Sequence, residues 1–125
     1  MVGWNKATAG ATLSGNLYPG QPPFARGIAD RADNVECSDV REVLDGSDIV
    51  VDVTTELGVP RTLACRDSVR RVFSAFITPS GLGSVLLAEN FERTIRLDSL
   101  EAQYYRQVIA EDWGATPPCC TDQLG

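Results

Sequence analysis

Apolar residues recur along the chain at two spacings, one typical of helices and one typical of strands. Residues 5–18 have the helical spacing, and a second short helix is predicted after Ser38, whose side chain can cap the first turn. Residues 24–30 are predicted to form a short strand between these helices. The run "IVVDV" at 49–53 is rich in β-branched residues, which is typical of a parallel strand covered on both faces.

The same alternation continues in the second half of the chain. Pro60 is tolerated in the first turn of a helix, and residues 69–77 and 84–89 are predicted to be strands joined by a reversal, hence antiparallel. Asp98 and Glu101 have the spacing of a capping box, which predicts the start of a last helix. The apolar stripe of that helix consists of residues four positions apart: Leu100, Tyr104 and Val108.

Strands and helices that alternate at roughly 20-residue intervals indicate a parallel α/β layer. We therefore predict an α/β fold: a partial Rossmann-like parallel sheet with helices, followed by an antiparallel hairpin and a C-terminal helix. The length is that of one domain, expected over residues 1–113, with a flexible tail at 114–125.

The formal charge of −6 argues against a nucleic-acid partner, because phosphate contacts require clustered basic residues and the 11 present here are scattered. No segment has the apolar length of a transmembrane helix, and the N-terminal stretch lacks the features of a signal peptide. We therefore expect a cytoplasmic protein that binds neither nucleic acid nor membrane.

The sequence contains no histidine, which excludes Ser-His-Asp and Cys-His catalysis and histidine-based metal sites. A zinc site would need all four cysteines, two of which are adjacent in sequence, and this spacing fits tetrahedral coordination poorly. We therefore predict no metal site and expect free thiols at all four positions: Cys37, Cys65, Cys119 and Cys120.

Asp52 is the main candidate for site chemistry. A carboxylate within an apolar run is costly to bury unless it is paired or ligated, and open α/β sheets bind ligands at the carboxyl ends of their strands. Asp52 and the following Thr54, Thr55 and Glu56 lie at such an end. A structural role, in which Asp52 accepts hydrogen bonds from a neighbouring loop, fits the sequence equally well. Lys6, at the start of the first helix, is either a phosphate contact or a solvated charge.

Three stretches together carry a resemblance to a known family: "VGWNKA" at 2–7, "SDIVVDVTTELGVPRTLA" at 47–64 and "GSVLLAENFERTIRLDSLEAQYYR" at 83–106. In this order and spacing they resemble the ThiF-type, ubiquitin-activating (E1-like) adenylating enzymes. The resemblance implies an adenylyltransferase that binds ATP and Mg²⁺. Its protein substrate would be a ubiquitin-like or sulfur-carrier protein, whose C-terminal carboxylate it would activate.

The resemblance also implies roles for particular residues. Lys6 matches a family lysine that contacts the ATP phosphates, and the D-x-T-D-N pattern of the family falls on residues 52–56. Asp52 and Glu56 are thereby the catalytic candidates, and Lys6, Asp52, Thr54 and Thr55 the cofactor-binding ones. The pattern is altered here, because Thr55 stands where many members have an Mg-associated Asp and Glu56 where they have Asn.

In the family, three features precede the V-G-x-x-K-A stretch: the phosphate-binding loop G-x-G-x-x-G, a ribose-binding acid and an Arg. In this sequence the nearest match, Gly81-Leu82-Gly83, is predicted to be a turn. We therefore expect half of an adenylation domain, completed by an N-terminal half or associated as a homodimer. The alternatives are a degenerate Rossmann-like binding or assembly module without ATP chemistry and, less favoured without a dinucleotide loop, an NAD-dependent oxidoreductase domain.

Overall fold

The computed structural model describes residues 5–20 and 24–111. The chain divides into two compact units, with the boundary between Val43 and Leu44. The first unit begins with α1 (Lys6–Leu17), whose first turn is capped by the Asn5 side chain, and α2 (Ser38–Gly46) contains the boundary. The second unit continues in chain order with β1 (Val50–Asp52), α3 (Gly58–Ala64), β2 (Val72–Ile77), β3 (Ser84–Ala88) and α4 (Leu97–Ala110).

The second unit is built on a three-stranded sheet in the order β1-β2-β3. β1 and β2 are parallel, with Asp52 opposite Ser74, and β3 is antiparallel to β2, with Leu87 opposite Ser74. The helix α3 connects the two parallel strands. The predicted α/β fold, with a parallel pair, an antiparallel hairpin and a C-terminal helix, is thereby confirmed.

The core of the second unit lies on one face of this sheet. α3 and α4 contact each other, and both contact β2. The side chains buried between them are almost completely inaccessible to solvent and come from both helices, from β2 and from the preceding loop: Leu63, Ala64, Val69, Val72 and Leu97. None of the helices among the described residues combines the length and the apolar composition that a membrane span requires. The predicted tail at 114–125 lies outside the described residues.

The predicted strand at 24–30 is wrong, because these residues are not in a strand. Gly27 instead lies against the backbone of α1, so closely that a Cβ atom there would be 2.3 Å from the Ala7 carbonyl oxygen. A short apolar run becomes a strand only when a neighbouring strand pairs with it, and this segment packs on a helix.

The prediction that the 49–53 strand is covered on both faces is also wrong. Ile49, Val51 and Val53 are 54%, 60% and 67% exposed, whereas Asp52, on the opposite side of the strand, is 5% exposed. The sheet has helices of the second unit on one face, so the alternate positions of β1 remain open to solvent.

The predicted capping box does not form at the start of α4. The helix begins at Leu97 with Arg96 at the N-cap, so Asp98 lies inside the first turn, where its carboxylate accepts the Ser99 N–H. Glu101 pairs with Arg61 instead of with the N-cap backbone. The buried positions of the helix are Leu97 and Glu101, and the predicted stripe is half-buried: Leu100, Tyr104 and Val108.

A buried ion pair between Glu89 and Arg93 joins the end of the hairpin to the helical layer. The two side chains are 0% and 8% exposed, and Arg93 Nε lies 2.7 Å from Glu89 Oε2. The Glu89 carboxylate also accepts the backbone N–H groups of Val72 and Leu97, at 3.0 and 3.1 Å. One carboxylate therefore fixes the start of β2 and the start of α4.

Arg93 donates its remaining hydrogen bonds to backbone carbonyls around the end of α3: Leu63, Arg66 and Val69. The Arg66 and Val69 oxygens lie in the loop after α3, and the Leu63 oxygen, in the last turn of α3, also accepts the Arg66 N–H. Arg93 itself adopts a left-handed backbone conformation, with φ of 52°. The Glu89–Arg93 pair thus connects β2, β3, α3 and α4 through a single set of hydrogen bonds.

The close approach of Gly27 to α1 gives a test of the first unit. Gly27→Ala should lower the free energy of unfolding by about 1–3 kcal/mol, because the added methyl group meets rigid backbone atoms rather than a flexible side chain. Gly10→Ala is the control: its Cβ would meet nothing within 4 Å, and it should raise stability by up to about 1 kcal/mol within the helix. Chemical denaturation of both variants measures the difference, and equal effects would contradict the packing of 24–30 on α1.

Candidate functional site

Asp52 lies at the carboxyl end of β1, and its buried carboxylate accepts three hydrogen bonds. Oδ1 accepts the backbone N–H of Thr54 at 3.0 Å and the Thr54 hydroxyl at 2.7 Å. Oδ2 accepts the Ser74 hydroxyl, 3.0 Å away on the neighbouring strand β2. These bonds compensate the burial of the carboxylate and fix the first residues of the turn that follows β1.

The turn between β1 and α3 contains an unusual backbone conformation. Thr55 has φ of 61°, in the left-handed region that β-branched residues rarely adopt. Such conformations cost roughly 1–3 kcal/mol and are concentrated at functional sites. The Glu56 N–H approaches the Thr54 hydroxyl at 3.4 Å, so the Asp52–Thr54 contact extends to Glu56, two residues before α3. The strain at Thr55 makes this turn a candidate for a binding role.

The turn opens onto a cleft of about 200 Å³ between the sheet and the two helices. Asp52, Ser74 and Glu56 line one part of it, and Glu101 from α4 contributes another carboxylate. The rest of the lining is mainly aromatic and aliphatic: Leu57, Pro60, Phe76, Ile77, Pro79, Leu87, Leu97, Tyr104 and Tyr105. The site is therefore a mainly apolar cleft whose lining includes three acidic residues, Asp52, Glu56 and Glu101.

Aromatic contacts and an ion pair hold the α4 side of the cleft in place. The rings of Phe76 and Tyr104 meet edge to face with centroids 5.5 Å apart, and Tyr105 lies 5.3 Å from Tyr104. Arg61 on α3 binds Glu101 through two hydrogen bonds of 3.0 Å each. The hydrogen bond to Glu101, with its Coulombic attraction, raises the pKa of the Arg61 guanidinium. The Arg61–Glu101 pair thereby connects the α4 side of the cleft to α3.

The structure brings four of the five predicted site residues together. Asp52 and Thr54 are bonded to each other, and Thr55 and Glu56 line the same cleft as Asp52. Lys6 belongs to the first unit, where it is exposed and is the first residue of α1. Among the described residues, no group of three or more Cys, Asp and Glu side chains is placed to hold a metal ion.

The lining of this cleft does not fit the triphosphate of ATP. No basic side chain lines the cleft, whereas several carboxylates do, and a triphosphate requires cationic groups or a cradle of backbone N–H groups. The Gly81-Leu82-Gly83 stretch closes the turn between β2 and β3: the Gly81 N–H bonds to Thr78 O, and Gly83 O accepts the Thr78 N–H. That part of the sequence prediction was correct. The cleft suits an apolar or cationic ligand better than a phosphate.

Several residues of the site were missed from the sequence, namely Ser74, Phe76, Glu101 and the two tyrosines. Ser74 carried a signal, because a hydroxyl in the middle of the apolar run at 69–77 requires a buried partner. Tyr104 and Glu101 carried none, since their place at the cleft depends on how α4 packs against the sheet. Comparison of the chain with protein-family models, with curated proteins and with solved structures finds no match.

Proposed function

We propose that this chain is the carrier-binding half of a ThiF-type, E1-like adenylyltransferase. The observation that supports the proposal is the position of Asp52. Its carboxylate is buried at the carboxyl end of a parallel strand, and the strained turn after it opens onto an apolar cleft. This junction is the one at which the sequence resembles the adenylating enzymes.

In this proposal the cleft takes the C-terminal tail of a ubiquitin-like or sulfur-carrier protein. An extended tail presents alternate side chains, and Phe76, Tyr104 and Leu57 offer apolar surface on which such side chains can be buried. Burial of the tail excludes water around its carboxylate, and the turn at 54–56 fixes where the tail ends. The role of this chain is therefore to bind and orient the carrier.

ATP and Mg²⁺ supply the activated phosphate in the adenylating enzymes. Because the described cleft does not fit a triphosphate, the phosphates would be bound by a complementing polypeptide that carries a glycine loop. Lys6 of this chain would add one further contact to the phosphates. The cleft carboxylates would repel a phosphate and weaken, without preventing, the binding of a carrier tail, and cations from the completed site would neutralise them. Activity is accordingly expected only from the complete assembly.

A second function, a binding module without ATP chemistry, is favoured by a specific observation. Both oxygens of Asp52 are engaged by Thr54 and Ser74, an arrangement that a purely structural carboxylate would also show. In that case the apolar cleft binds a partner segment, and nothing is activated. The two functions share carrier or peptide binding and differ in whether the completed assembly turns over ATP.

Carrier binding can be measured by titrating the isotope-labelled chain with purified ubiquitin-like and sulfur-carrier proteins. The amide signals of Thr55, Leu57 and Tyr104 are expected to shift, with a Kd on the order of 0.1–1 mM for half of a site. Tyr104→Ala should weaken this binding about tenfold, because it removes an aromatic wall of the cleft. Phe91→Ala is the control, since Phe91 is 87% exposed and does not line the cleft.

Carriers shortened at the C-terminus should no longer shift these signals. The proposal is wrong if no carrier shifts the cleft signals at about 1 mM, or if the shifts arise elsewhere and are indifferent to Tyr104→Ala.

A further inference from the structure

The Asp52 carboxylate is buried without a counter-charge. It is 5% exposed, and its three hydrogen-bond donors are all neutral: the Thr54 N–H, the Thr54 hydroxyl and the Ser74 hydroxyl. The other two buried acids among the described residues, Glu89 and Glu101, each pair with an arginine. Burial of a carboxylate is costly unless a cation pairs with it. Asp52 therefore differs from the other buried acids in having no cationic partner among the described residues.

The Asp52 carboxylate can accept a further hydrogen bond from a group in the cleft. An ionised carboxylate has about four acceptor positions, and three donors occupy it here. Oδ1 accepts two of these bonds, both from Thr54, whereas Oδ2 accepts only the Ser74 hydroxyl. Asp52 and Ser74 both line the cleft, and none of the described residues in its lining is basic. A cation that pairs with Asp52 in the cleft must therefore belong to a ligand.

The rest of the lining favours a ligand with an aromatic body. Phe76 follows Ser74 on β2 by two residues, so the two side chains leave the same face of the strand about 7 Å apart. The Tyr104 ring meets the Phe76 ring edge to face, with centroids 5.5 Å apart, and both rings line the cleft. The cleft volume is about 200 Å³. Since an apolar cavity of about 150 Å³ binds benzene, the cleft has room for one ring and a short arm.

We propose that the cleft binds an arylalkylammonium, a protonated primary amine joined by a short alkyl arm to an aromatic ring. The ammonium group donates a hydrogen bond to Asp52 Oδ2, and the arm spans the distance from there to Phe76. The ring packs against Phe76 and Tyr104, where offset or edge-to-face contacts between rings are favourable. Glu56, in the turn that borders the cleft, adds a second negative charge that attracts the ammonium group.

Other classes of small ligand fit the lining less well. An anion is repelled by the carboxylates of the cleft, and a neutral apolar molecule leaves Asp52 without a cation. A quaternary ammonium group carries the charge but has no N–H to donate to Oδ2. A primary ammonium group supplies both, and hydrogen bonds to a charged partner are roughly twice as strong as neutral ones.

The inference follows from the lining of the cleft and does not rest on the proposed function. A free amine is neither a carrier protein nor a nucleotide, so the two proposals are tested with different probes. Binding of the amine without binding of any carrier would support this inference and contradict carrier recognition. Binding of a carrier without binding of the amine would do the reverse.

Titration of the isotope-labelled full chain with phenethylammonium chloride, at constant ionic strength, tests the proposal. The amide signals of Thr54, Ser74 and Phe76 are expected to shift with a Kd of about 0.1–1 mM, as for other ligands of this size. Phenethyl alcohol, the neutral analogue, should bind at least about tenfold more weakly, because it lacks the charge. Hydrocinnamate, the anionic analogue, should produce no shifts in the cleft at about 10 mM.

Asp52→Asn keeps the shape of the side chain and removes its charge. This variant should raise the Kd for phenethylammonium at least about tenfold. Asp48→Asn is the matched control, because Asp48 is 84% exposed and does not line the cleft; its Kd should stay within about twofold of wild type.

The comparison of the three ligands uses the wild-type chain, so the result does not depend on whether Asp52→Asn folds. Equal affinity for the amine and the alcohol would overturn the proposal, because the cleft would then recognise only the ring. The proposal would also be wrong if phenethylammonium shifts only signals outside the cleft, or if it shows no binding at about 10 mM.

Discussion

Arg93→Met is expected to lower the free energy of unfolding by about 3–5 kcal/mol, the range for removing one partner of a buried ion pair. The substitution leaves the Glu89 carboxylate, which is fully buried, without its counter-charge. It also removes the donors to the Leu63, Arg66 and Val69 carbonyls, so the end of α3 and the loop after it lose these hydrogen bonds to the β3–α4 connection. Since small domains are stable by only about 5–15 kcal/mol, denaturation with urea should detect a large shift in midpoint.

Arg70→Met is the matched control for this experiment. Arg70 also forms an ion pair, with Asp48, but the two side chains are 69% and 84% exposed, and exposed pairs contribute about 0–1 kcal/mol. The double variant with Arg93→Met and Glu89→Gln should lose less free energy of unfolding than the two single variants lose in sum. The reason is that the two residues act as one unit. An Arg93→Met variant within about 1 kcal/mol of wild type would mean that the connection tolerates an unpaired buried charge.

The parts of the fold that follow local rules could be predicted from the sequence. The β-branched run before α3, the reversal between β2 and β3, and the helical spacing after residue 97 each depend on residues close together in the chain. These patterns gave the parallel pair, the hairpin and the C-terminal helix with errors of a few residues at the ends. The helix at 5–18 was also correct, as α1 (Lys6–Leu17).

The parts that depend on distant contacts could not be predicted. Glu89 was placed at the end of a strand, but nothing in the sequence indicates that its carboxylate binds Arg93 and accepts N–H groups 17 residues before and 8 residues after it. The same holds for the capping box, since Glu101 has a partner 40 residues away, Arg61, that competes with the N-cap backbone. The strand at 24–30 failed because its neighbour in the first unit is a helix.

The candidate site was predicted as far as the turn after β1 and no further. Asp52 stood out because a carboxylate in an apolar run needs a partner, and the partners are Thr54 and Ser74. Both a structural and a functional carboxylate can accept these bonds. The strain at Thr55 and the apolar cleft beside it favour function, and a measurement of activity in the completed site is needed to separate the two.

The chain alone should show no carrier-dependent exchange between ATP and pyrophosphate. Phosphate binding in this class of fold relies on backbone N–H groups of a glycine loop at a helix N-terminus. The cleft instead presents carboxylates, and Lys6, the chain's single lysine, offers one solvent-screened charge. Adding a polypeptide with the glycine loop, the ribose-binding acid and the Arg should give a measurable exchange rate.

In that assembly Lys6→Ala should reduce the exchange rate about 10²–10³-fold, the usual cost of removing one group that stabilises developing charge. Asp52→Asn should cause a similar loss, whereas Asp48→Asn, at an exposed position before β1, should leave the rate within about twofold. Carrier binding without exchange in the completed assembly would favour the non-catalytic module. Exchange by the purified chain alone would instead place the nucleotide site outside the cleft of Asp52, because that cleft has no group to hold the phosphates.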